Sequence, residues 1–407
     1  MIKKNNIFDK NNKIKKFFSD FGFNFLATSL PLAILTLLIY PKMAKNLGVF
    51  KYGIALSIIG YFKMSSGILI SNLGYNRLLE EKKSLKELNI QNYNIIFFVF
   101  LIFTIIFSFS IIIIMNISFK IEEYFILGFT IFFLCLDTYL SIEFRISINF
   151  YNVLKNKIFL VIGYLVGLYL NNKGYHWLNI FLMGYIFATI YDLIATTLWK
   201  QPLSINKNFK TVFVSVLILS LASFISSIST YFDKLVLFPK LGGSAVAIYS
   251  TTALIAKIGP STTGAIGNVL LSYFVKMNKF NKKQYGLFIF TISIIAIIGY
   301  FVCYFLSFYF LTYFYPQILN NCLEILKPVV IIYMAQVFIS LLYPYLLCYC
   351  KLHFQIIQQI VRLVLYVFFT IPMMNKYGLN GFSIGVLFAS IFYVVFMIIV
   401  GYLSSIK

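Results

Sequence analysis

The sequence is poor in charged residues: only 11% of its 407 residues are Asp, Glu, Lys or Arg, whereas 60% are hydrophobic. A soluble chain carries about a quarter charged residues, which keep its surface hydrated. A soluble globule of this length is therefore excluded. Histidine occurs only twice and the five cysteines form no CxxC pair, so we expect neither a metal site nor a disulfide framework.

Long apolar runs take the place of the missing charges. They have about the 18 to 25 residues that a helix needs to cross a bilayer core. The first run, from about Phe21 to Tyr40, is too long for a signal-peptide core, and no small-residue cleavage site follows it. We predict an all-α, multi-pass membrane protein with about 12 transmembrane helices, at residues 18–40, 52–76, 94–115, 123–143, 156–171, 178–198, 211–238, 244–275, 285–311, 325–347, 353–373 and 379–403.

The net charge of +22 comes from basic residues in short connectors between these runs. Most of them fall on the cytoplasmic side if the N-terminus is cytoplasmic, and reversing the chain would invert that bias. We therefore predict that both termini are cytoplasmic. The same distribution argues against nucleic acid as a partner, and membrane lipids are expected in its place.

An internal repeat divides the chain. Residues 184–191 match residues 385–392 with Gly, Phe, Ala and Ile identical, and a Leu-Gly turn follows Pro-Lys at residues 41–48 and again at 239–242. Six helices in each half bring both halves in from the same side of the membrane. We predict two six-helix lobes, residues 1–205 and 206–407, related by a pseudo-twofold axis along the membrane normal.

Two lysines lie midway along predicted spans at positions that the repeat makes equivalent. Lys63 and Lys257 would be costly in hydrocarbon, and such residues usually face a bundle interior or a wet cavity. Facing one cleft, they would bind a diphosphate or an acidic sugar. The alternatives are that each extends to the nearer interface or pairs with a carboxylate.

Arginine occurs only three times, against 31 lysines. Its planar guanidinium suits bidentate recognition of anions, so Arg77, Arg145 and Arg362 are candidate substrate-binding residues. Arg77 has an alternative partner in Glu81, one helical turn later. Arg145 lies at a cytoplasmic helix end, where an exposed cation is ordinary.

Two aspartates are the candidate ion-coupling residues. Asp137 and Asp192 lie inside predicted spans, where a desolvated carboxylate can couple binding of a proton or sodium ion to conformation. The alternative is a structural ion pair, for example between Asp137 and a basic residue of another span. For the adjacent Asp233 and Lys234 we expect a structural role.

Several motifs resemble those of one transporter superfamily. They are Pro41–Gly48 followed by Tyr52-Gly53, Gly74-Tyr-Asn-Arg77, Asp233-Lys-Leu-Val-Leu with Ala247-Ile-Tyr-Ser250, and Tyr377–Gly381. The chain resembles the polysaccharide flippases of the multidrug/oligosaccharidyl-lipid/polysaccharide exporter (MOP) superfamily. Among these it is most similar to the O-antigen flippases of the Wzx type.

The resemblance implies a central cationic cavity between two lobes and an ion-coupled, alternating-access cycle. It implies a flippase, not an enzyme, that moves undecaprenyl-diphosphate-linked oligosaccharide repeat units across a bacterial inner membrane for lipopolysaccharide biosynthesis. The implied partners are the lipid-linked substrate, a polysaccharide polymerase and a chain-length regulator. No cofactor is expected other than the coupling ion, H⁺ or Na⁺.

Two alternatives remain open. A drug or cation antiporter of the same superfamily would share the fold, but it would be expected to have an acid-rich cavity, whereas Lys63 and Lys257 are basic. An O-antigen polymerase has similar hydropathy, but such enzymes carry a large periplasmic loop. No predicted connector here exceeds about 17 residues, well short of a folded domain.

Overall fold

A computed structural model describes residues 19–20, 22–81, 90–200, 203, 205, 209–274, 280–350 and 353–406. Almost all of these residues are helical, and the described part of the chain contains no strand. A helix satisfies its backbone hydrogen bonds within itself, and this is the condition for crossing hydrocarbon. The fold-class prediction is confirmed: this is an all-α, multi-pass membrane protein.

We number the helices in chain order. A helix at residues 22–34 (α1) runs through a π-helical turn, Leu35–Ile39, into α2. The others are α2 (Tyr40–Glu81), α3 (Ile90–Ile114), α4 (Ile121–Leu140), α5 (Ile142–Ile146), α6 (Phe150–Asn172), α7 (Leu178–Ala195), α8 (Phe209–Thr230), α9 (Phe232–Thr252), α10 (Ile258–Phe274), α11 (Lys282–Phe314), α12 (Leu319–Tyr349) and α13 (His353–Ile406).

Nine helical stretches among the described residues are long and apolar enough to cross a membrane. Two of them are interrupted by a glycine with positive φ, Gly48 in α2 and Gly378 in α13, so each contains two spans. The span predicted at 244–275 is interrupted as well: residues 253–257 form turns between α9 and α10. A continuous helix there was a wrong expectation, and the break contains Lys257.

The internal repeat is visible in the backbone. Gly48 and Gly242, the glycines of the two Leu-Gly turns, have φ of 73° and 78° with extended ψ of 162° and −177°. This left-handed region is disfavoured for residues with a Cβ. The same sharp turn therefore joins two helices at equivalent points of the repeat.

The chain forms two compact units. Unit 1 comprises residues 1–43 and 61–224, and unit 2 comprises residues 44–60 and 225–407. α2 thus contributes its first part mainly to unit 2 and its second part to unit 1. The division between residues 205 and 206 that the repeat suggested stays a prediction.

Residues 44–60 are held in unit 2 by a close helix crossing. A Cβ on Gly53 would overlap the carbonyl group of Gly243, and one on Gly243 would overlap the carbonyl oxygen of Phe50. Nearby, the hydroxyl groups of Tyr52 and Tyr315 lie 3.5 Å apart, and both tyrosines are fully buried. Small residues at such crossings let backbones approach in membrane proteins, so α2 and α9 are in direct backbone contact.

Candidate functional site

Three helices of unit 1 bring a polar cluster into an apolar interior. Asp137 lies near the end of α4, Asn156 and Lys157 lie in α6, and Asp192 lies near the end of α7. Both aspartates and Asn156 are buried, with exposed fractions of 4%, 0% and 0%. α4 and α7 are further joined by the Thr189 hydroxyl, which donates to the Phe133 carbonyl oxygen at 3.1 Å.

The Asn156 side chain joins the two carboxylates. Its Nδ2 donates to Asp137 Oδ1 at 2.8 Å and to Asp192 Oδ1 at 2.7 Å. Because both oxygens contact one nitrogen, they are separated by no more than the sum of these two distances. Lys157 Nζ donates to Asp137 Oδ2 at 3.2 Å. The ion pair of Asp137 with a basic residue of another span, the alternative to a role in ion coupling, is thus present, and the coupling role of Asp137 stays a prediction.

The charges of this cluster do not balance. Two carboxylates face one ammonium group, and Asp192 Oδ2 is buried with no hydrogen-bond donor among the described residues. An uncompensated buried charge is costly, so it must be neutralised. A proton or a monovalent cation on Asp192 would do so. Among the described residues, no group of three or more His, Cys, Asp and Glu side chains is arranged to bind a metal ion.

The other acid of this region has a structural contact. Glu143 in α5 accepts hydrogen bonds from the backbone N–H groups of Thr197 and Leu198 at 2.9 and 3.2 Å. It thereby caps the turn Leu198–Lys200 that follows α7. Arg145, also in α5, is exposed and has no ion-pair partner among the described residues, so the structure does not join it to the aspartate cluster.

The two basic candidates of α2 in unit 1 differ in burial. Lys63 is half-buried. Arg77 is only 7% exposed, and its Nε and Nη1 have no acceptor among the described residues. It interacts with the buried Tyr139 of α4. Its suggested partner, the Glu81 side chain, lies outside the described residues.

One histidine lies outside the spans, in the connector between α6 and α7. His176 Nε2 lies 3.3 Å from Glu123 Oε1. Partial burial lowers the pKa of His176, and the Glu123 carboxylate opposes that shift. The pair ties this connector to the first turn of α4, far along that helix from Asp137, so we assign it to the fold.

Unit 2 contains a second polar cluster of opposite charge. Asp233 and Lys234 form an ion pair of 3.0 Å in the first turn of α9, the structural role expected for them. Lys257 interacts electrostatically with both. Its Nζ lies 5.8 Å from the ring centroid of Tyr333 in α12. The backbone around Lys257 forms turns, and irregular backbone inside a membrane is tolerated where it is enclosed by protein or lines a cavity.

Arg362 in α13 lies against tyrosines. Its guanidinium carbon is 5.3 Å from the ring centroid of Tyr366 and 6.0 Å from that of Tyr393. One nitrogen donates to the Tyr366 hydroxyl at 3.3 Å, whereas Nε has no acceptor among the described residues. Arg362 also interacts with Tyr333. Lys257 and Arg362 therefore both lie within electrostatic range of Tyr333.

The charge of this second cluster is positive. In the part of the chain that the structure describes, Lys234, Lys257 and Arg362 supply three cations and Asp233 supplies one carboxylate, which leaves an excess of two positive charges. Arg362 has no carboxylate in an ion pair among the described residues. An anion with two negative charges would balance the cluster. Lys63 belongs to unit 1 and Lys257 to unit 2, so the cavity expected between these two lysines stays a prediction.

Two residues of these clusters were not singled out by the sequence. Asn156 is one amide among several in an apolar span, and only the partner helices show that it joins two aspartates. Gly60 packs against the Lys234 side chain: a Cβ at position 60 would overlap the Cδ atom of that lysine. Glycine is frequent in membrane helices generally, so its position in the sequence carried no usable signal.

Gly60→Ala is expected to weaken the Asp233–Lys234 pair. The added methyl group must displace the Lys234 stem, which leaves Asp233 buried without its closest cation. We expect a fall of about 1–2 °C in the melting temperature of the detergent-solubilised protein, which a loss of about 1–2 kcal/mol causes in a chain of this length. Gly67→Ala is the control, because no atom lies within 4 Å of its Cβ position. Equal melting temperatures for the two variants would contradict this packing.

No protein-family model matches the sequence, and no curated protein matches it at a significant level. Solved structures do match. An inward-facing multidrug resistance MATE family transporter of the MOP superfamily superposes with a TM-score of 0.70 at 13% identity, covering 93% of this chain and 97% of that chain. The lipid II flippase MurJ, in an inward closed conformation, gives a TM-score of 0.66 at 15% identity, covering 97% and 90%.

A third match is a MOP superfamily transporter from Pyrococcus furiosus, described by a binding pocket of reverse polarity that suggests a different function. Its TM-score is 0.56 at 14% identity, and the match covers 96% of this chain and 94% of that chain. All three matches extend over nearly the full length of both chains. This protein therefore has the fold of the MOP superfamily transporters.

Proposed function

We propose that this protein is a flippase that moves undecaprenyl-diphosphate-linked oligosaccharide repeat units, such as those of O-antigen, across a bacterial inner membrane. The observation that carries the proposal is the excess of two positive charges around Tyr333 in unit 2. Cations at membrane depth are costly and generally serve a ligand or a partner. A diphosphate has the charge and the oxygen acceptors that Lys257 and the guanidinium of Arg362 require.

The fold supports the same proposal. MATE transporters and the lipid II flippase MurJ share this architecture, so one fold serves both drug efflux and the flipping of a lipid. Because a structural match at about 14% sequence identity shows the fold but not the function, we choose between these activities from the charged residues. An anionic head group suits the cations of unit 2, and a membrane-embedded substrate suits a flippase.

In the proposed cycle each cluster has one task. Lys257 and Arg362 bind the diphosphate, and the tyrosines around Arg362 exclude water and hold the guanidinium plane. Lys63 and Arg77 of α2 are further candidates for contacts to the head group, and Arg145 is a candidate for first contact at the exposed end of α5. Asp192, with Asp137 and Asn156, binds H⁺ or Na⁺, and this occupancy biases one conformation over another.

A second candidate function is a drug or cation antiporter. The aspartate cluster of unit 1 favours it, since its net negative charge would attract a cationic substrate as well as a coupling ion. The two functions make opposite demands on unit 2. In an antiporter for cations, Arg362 would contribute nothing to substrate binding. In a flippase for diphosphates, Arg362 would bind the substrate, and its loss would lower the affinity.

Deletion of the gene in its host tests the proposal. We expect surface lipopolysaccharide to lose its repeat units, while complete units accumulate on the undecaprenyl carrier in the inner leaflet. Complementation with the wild-type gene must restore the surface glycan. A single repeat unit still ligated at the surface would show that polymerisation, not flipping, was lost. An unchanged glycan combined with new drug sensitivity would favour the antiporter.

The polymerase and the chain-length regulator of the same glycan are proposed partners. They would receive the repeat unit after it has crossed the membrane, which requires proximity but no shared active site. Co-purification of either protein with this flippase from mildly solubilised membranes would support that association.

A further inference from the structure

An apolar groove lies on unit 2 between α11, α12 and α13. Its volume is about 560 Å³, within the range of small-molecule pockets. Ile297 and Phe301 of α11 form its outer edge and are 58% and 56% exposed. Among the other lining residues are Ala296, Ala335, Phe338 and Val395. The groove therefore opens toward the hydrocarbon of the bilayer.

A single methionine forms part of the inner wall of this groove. Met334 of α12 lines the groove and is 5% exposed. A Cβ on Gly299 of α11 would lie 2.9 Å from its sulfur, and a Cβ on Gly259 of α10 would lie 3.3 Å from its Cε. The thioether therefore occupies the space that both glycines leave. Methionine is flexible enough to refill such a space after a ligand displaces it.

Residues of the cationic cluster are close in sequence to the residues of this wall. Gly259 follows Lys257 by two residues, and Tyr333, which faces the Lys257 ammonium, directly precedes Met334. Residues 331, 334, 335 and 338 of α12 form the stripe that lines the groove, with the spacing of one helix face. α12 thus presents an apolar face to the groove and Tyr333 to the cations.

We propose that this groove binds the polyprenyl chain of the substrate whose diphosphate is held at Lys257 and Arg362. The inference rests on the proposed function and adds a second binding site to it. Met334 lines the apolar groove and packs beside Gly259, two residues after Lys257. An apolar groove this near to an excess of positive charge matches a molecule with one anionic end and one hydrocarbon end. A soluble anion would use the cations and leave the groove to bilayer lipid.

Substitutions that fill the groove with a large side chain test binding of the polyprenyl chain independently of binding of the diphosphate head group. We compare Ala296→Trp and Ala335→Trp with wild type for binding of undecaprenyl diphosphate and geranyl diphosphate to the purified full-length protein. Both probes carry the same head group, but only the first has a long chain. We expect each variant to weaken undecaprenyl diphosphate binding about tenfold, because apolar contact area is lost, and to leave geranyl diphosphate binding unchanged.

Retained binding of geranyl diphosphate also shows that the variants are folded. Val302→Trp is the matched control, because Val302 is 52% exposed on α11 and does not line the groove. If both alanine variants bind both lipids as wild type does, or if Val302→Trp causes the same loss, the groove holds bilayer lipid only and the inference is wrong. If wild type binds neither diphosphate, the proposed function itself has failed.

Discussion

Asp192→Asn is expected to uncouple substrate transport from the ion gradient that drives it. The substitution preserves the side-chain shape but removes the negative charge that a proton or cation must neutralise in the cluster with Asp137 and Asn156. In proteoliposomes, substrate movement driven by a proton or sodium gradient should fall by about 5- to 150-fold, which corresponds to typical coupling free energies of about 1–3 kcal/mol. Movement down the substrate's own gradient should persist.

Glu123→Gln is the matched control for this experiment. Glu123 belongs to the same helix as Asp137, but it pairs with His176 in a connector, away from the aspartate cluster. This variant should keep the full response to the ion gradient. An Asp192→Asn protein whose transport responds to H⁺ and Na⁺ gradients as wild type does would remove Asp192 from the coupling mechanism.

The second large effect is expected at Arg362. Arg362→Gln removes a cation that has no carboxylate partner among the described residues, so the cost should appear in ligand binding more than in folding. Hydrogen bonds to charged groups contribute about 1.5–3 kcal/mol, which corresponds to a loss of about 10- to 150-fold in affinity for a polyprenyl diphosphate. Arg362→Lys should recover part of that loss, because it restores charge without the bidentate fork.

Lys376→Gln makes the same change of charge at an exposed residue of α13 and should leave diphosphate binding unchanged. Isothermal titration or a competition assay with the purified protein gives the affinities. Should Arg362→Gln and Lys257→Gln both bind the diphosphate as tightly as wild type, unit 2 is not the anion site. A cationic drug transported by these variants would then favour the antiporter.

The transmembrane architecture was predictable because it depends on local properties of the sequence. A run of some twenty apolar residues must be helical in a bilayer. Leu-Gly turns that recur half a chain apart predict the same backbone geometry at both places, and the positive φ of Gly48 and Gly242 agrees with this. The break at residues 253–257 was not predicted. Apart from Lys257, its residues are as apolar as those of a continuous helix, so the sequence contains no signal for the turns.

The sequence predicted the individual charged residues of the candidate sites, but not which residues come together in each cluster. The cost of burying a charge singled out Asp137, Asp192, Lys257 and Arg362. Their partners lie on other helices, and no spacing in one sequence shows which residue of α6 falls between α4 and α7. Asn156 was missed for this reason, as was the tyrosine surface around Arg362. Arg145 was singled out by the rarity of arginine, and it is exposed in the structure, so its role in substrate binding stays a prediction.

The division of α2 between the two units has a consequence for biosynthesis. Residues 44–60 leave the ribosome long before the rest of unit 2, since domains are made from the N-terminus onward. The contact between the Tyr52 and Tyr315 hydroxyl groups can form only after Tyr315, 263 positions later, has been synthesised. The backbone packing of Gly53 against Gly243 likewise requires that Gly243 has been synthesised. During most of translation residues 44–60 therefore lack these contacts. Unit 2 is therefore complete only when helices from the second half of the chain have packed against residues 44–60, a segment made near the start of synthesis.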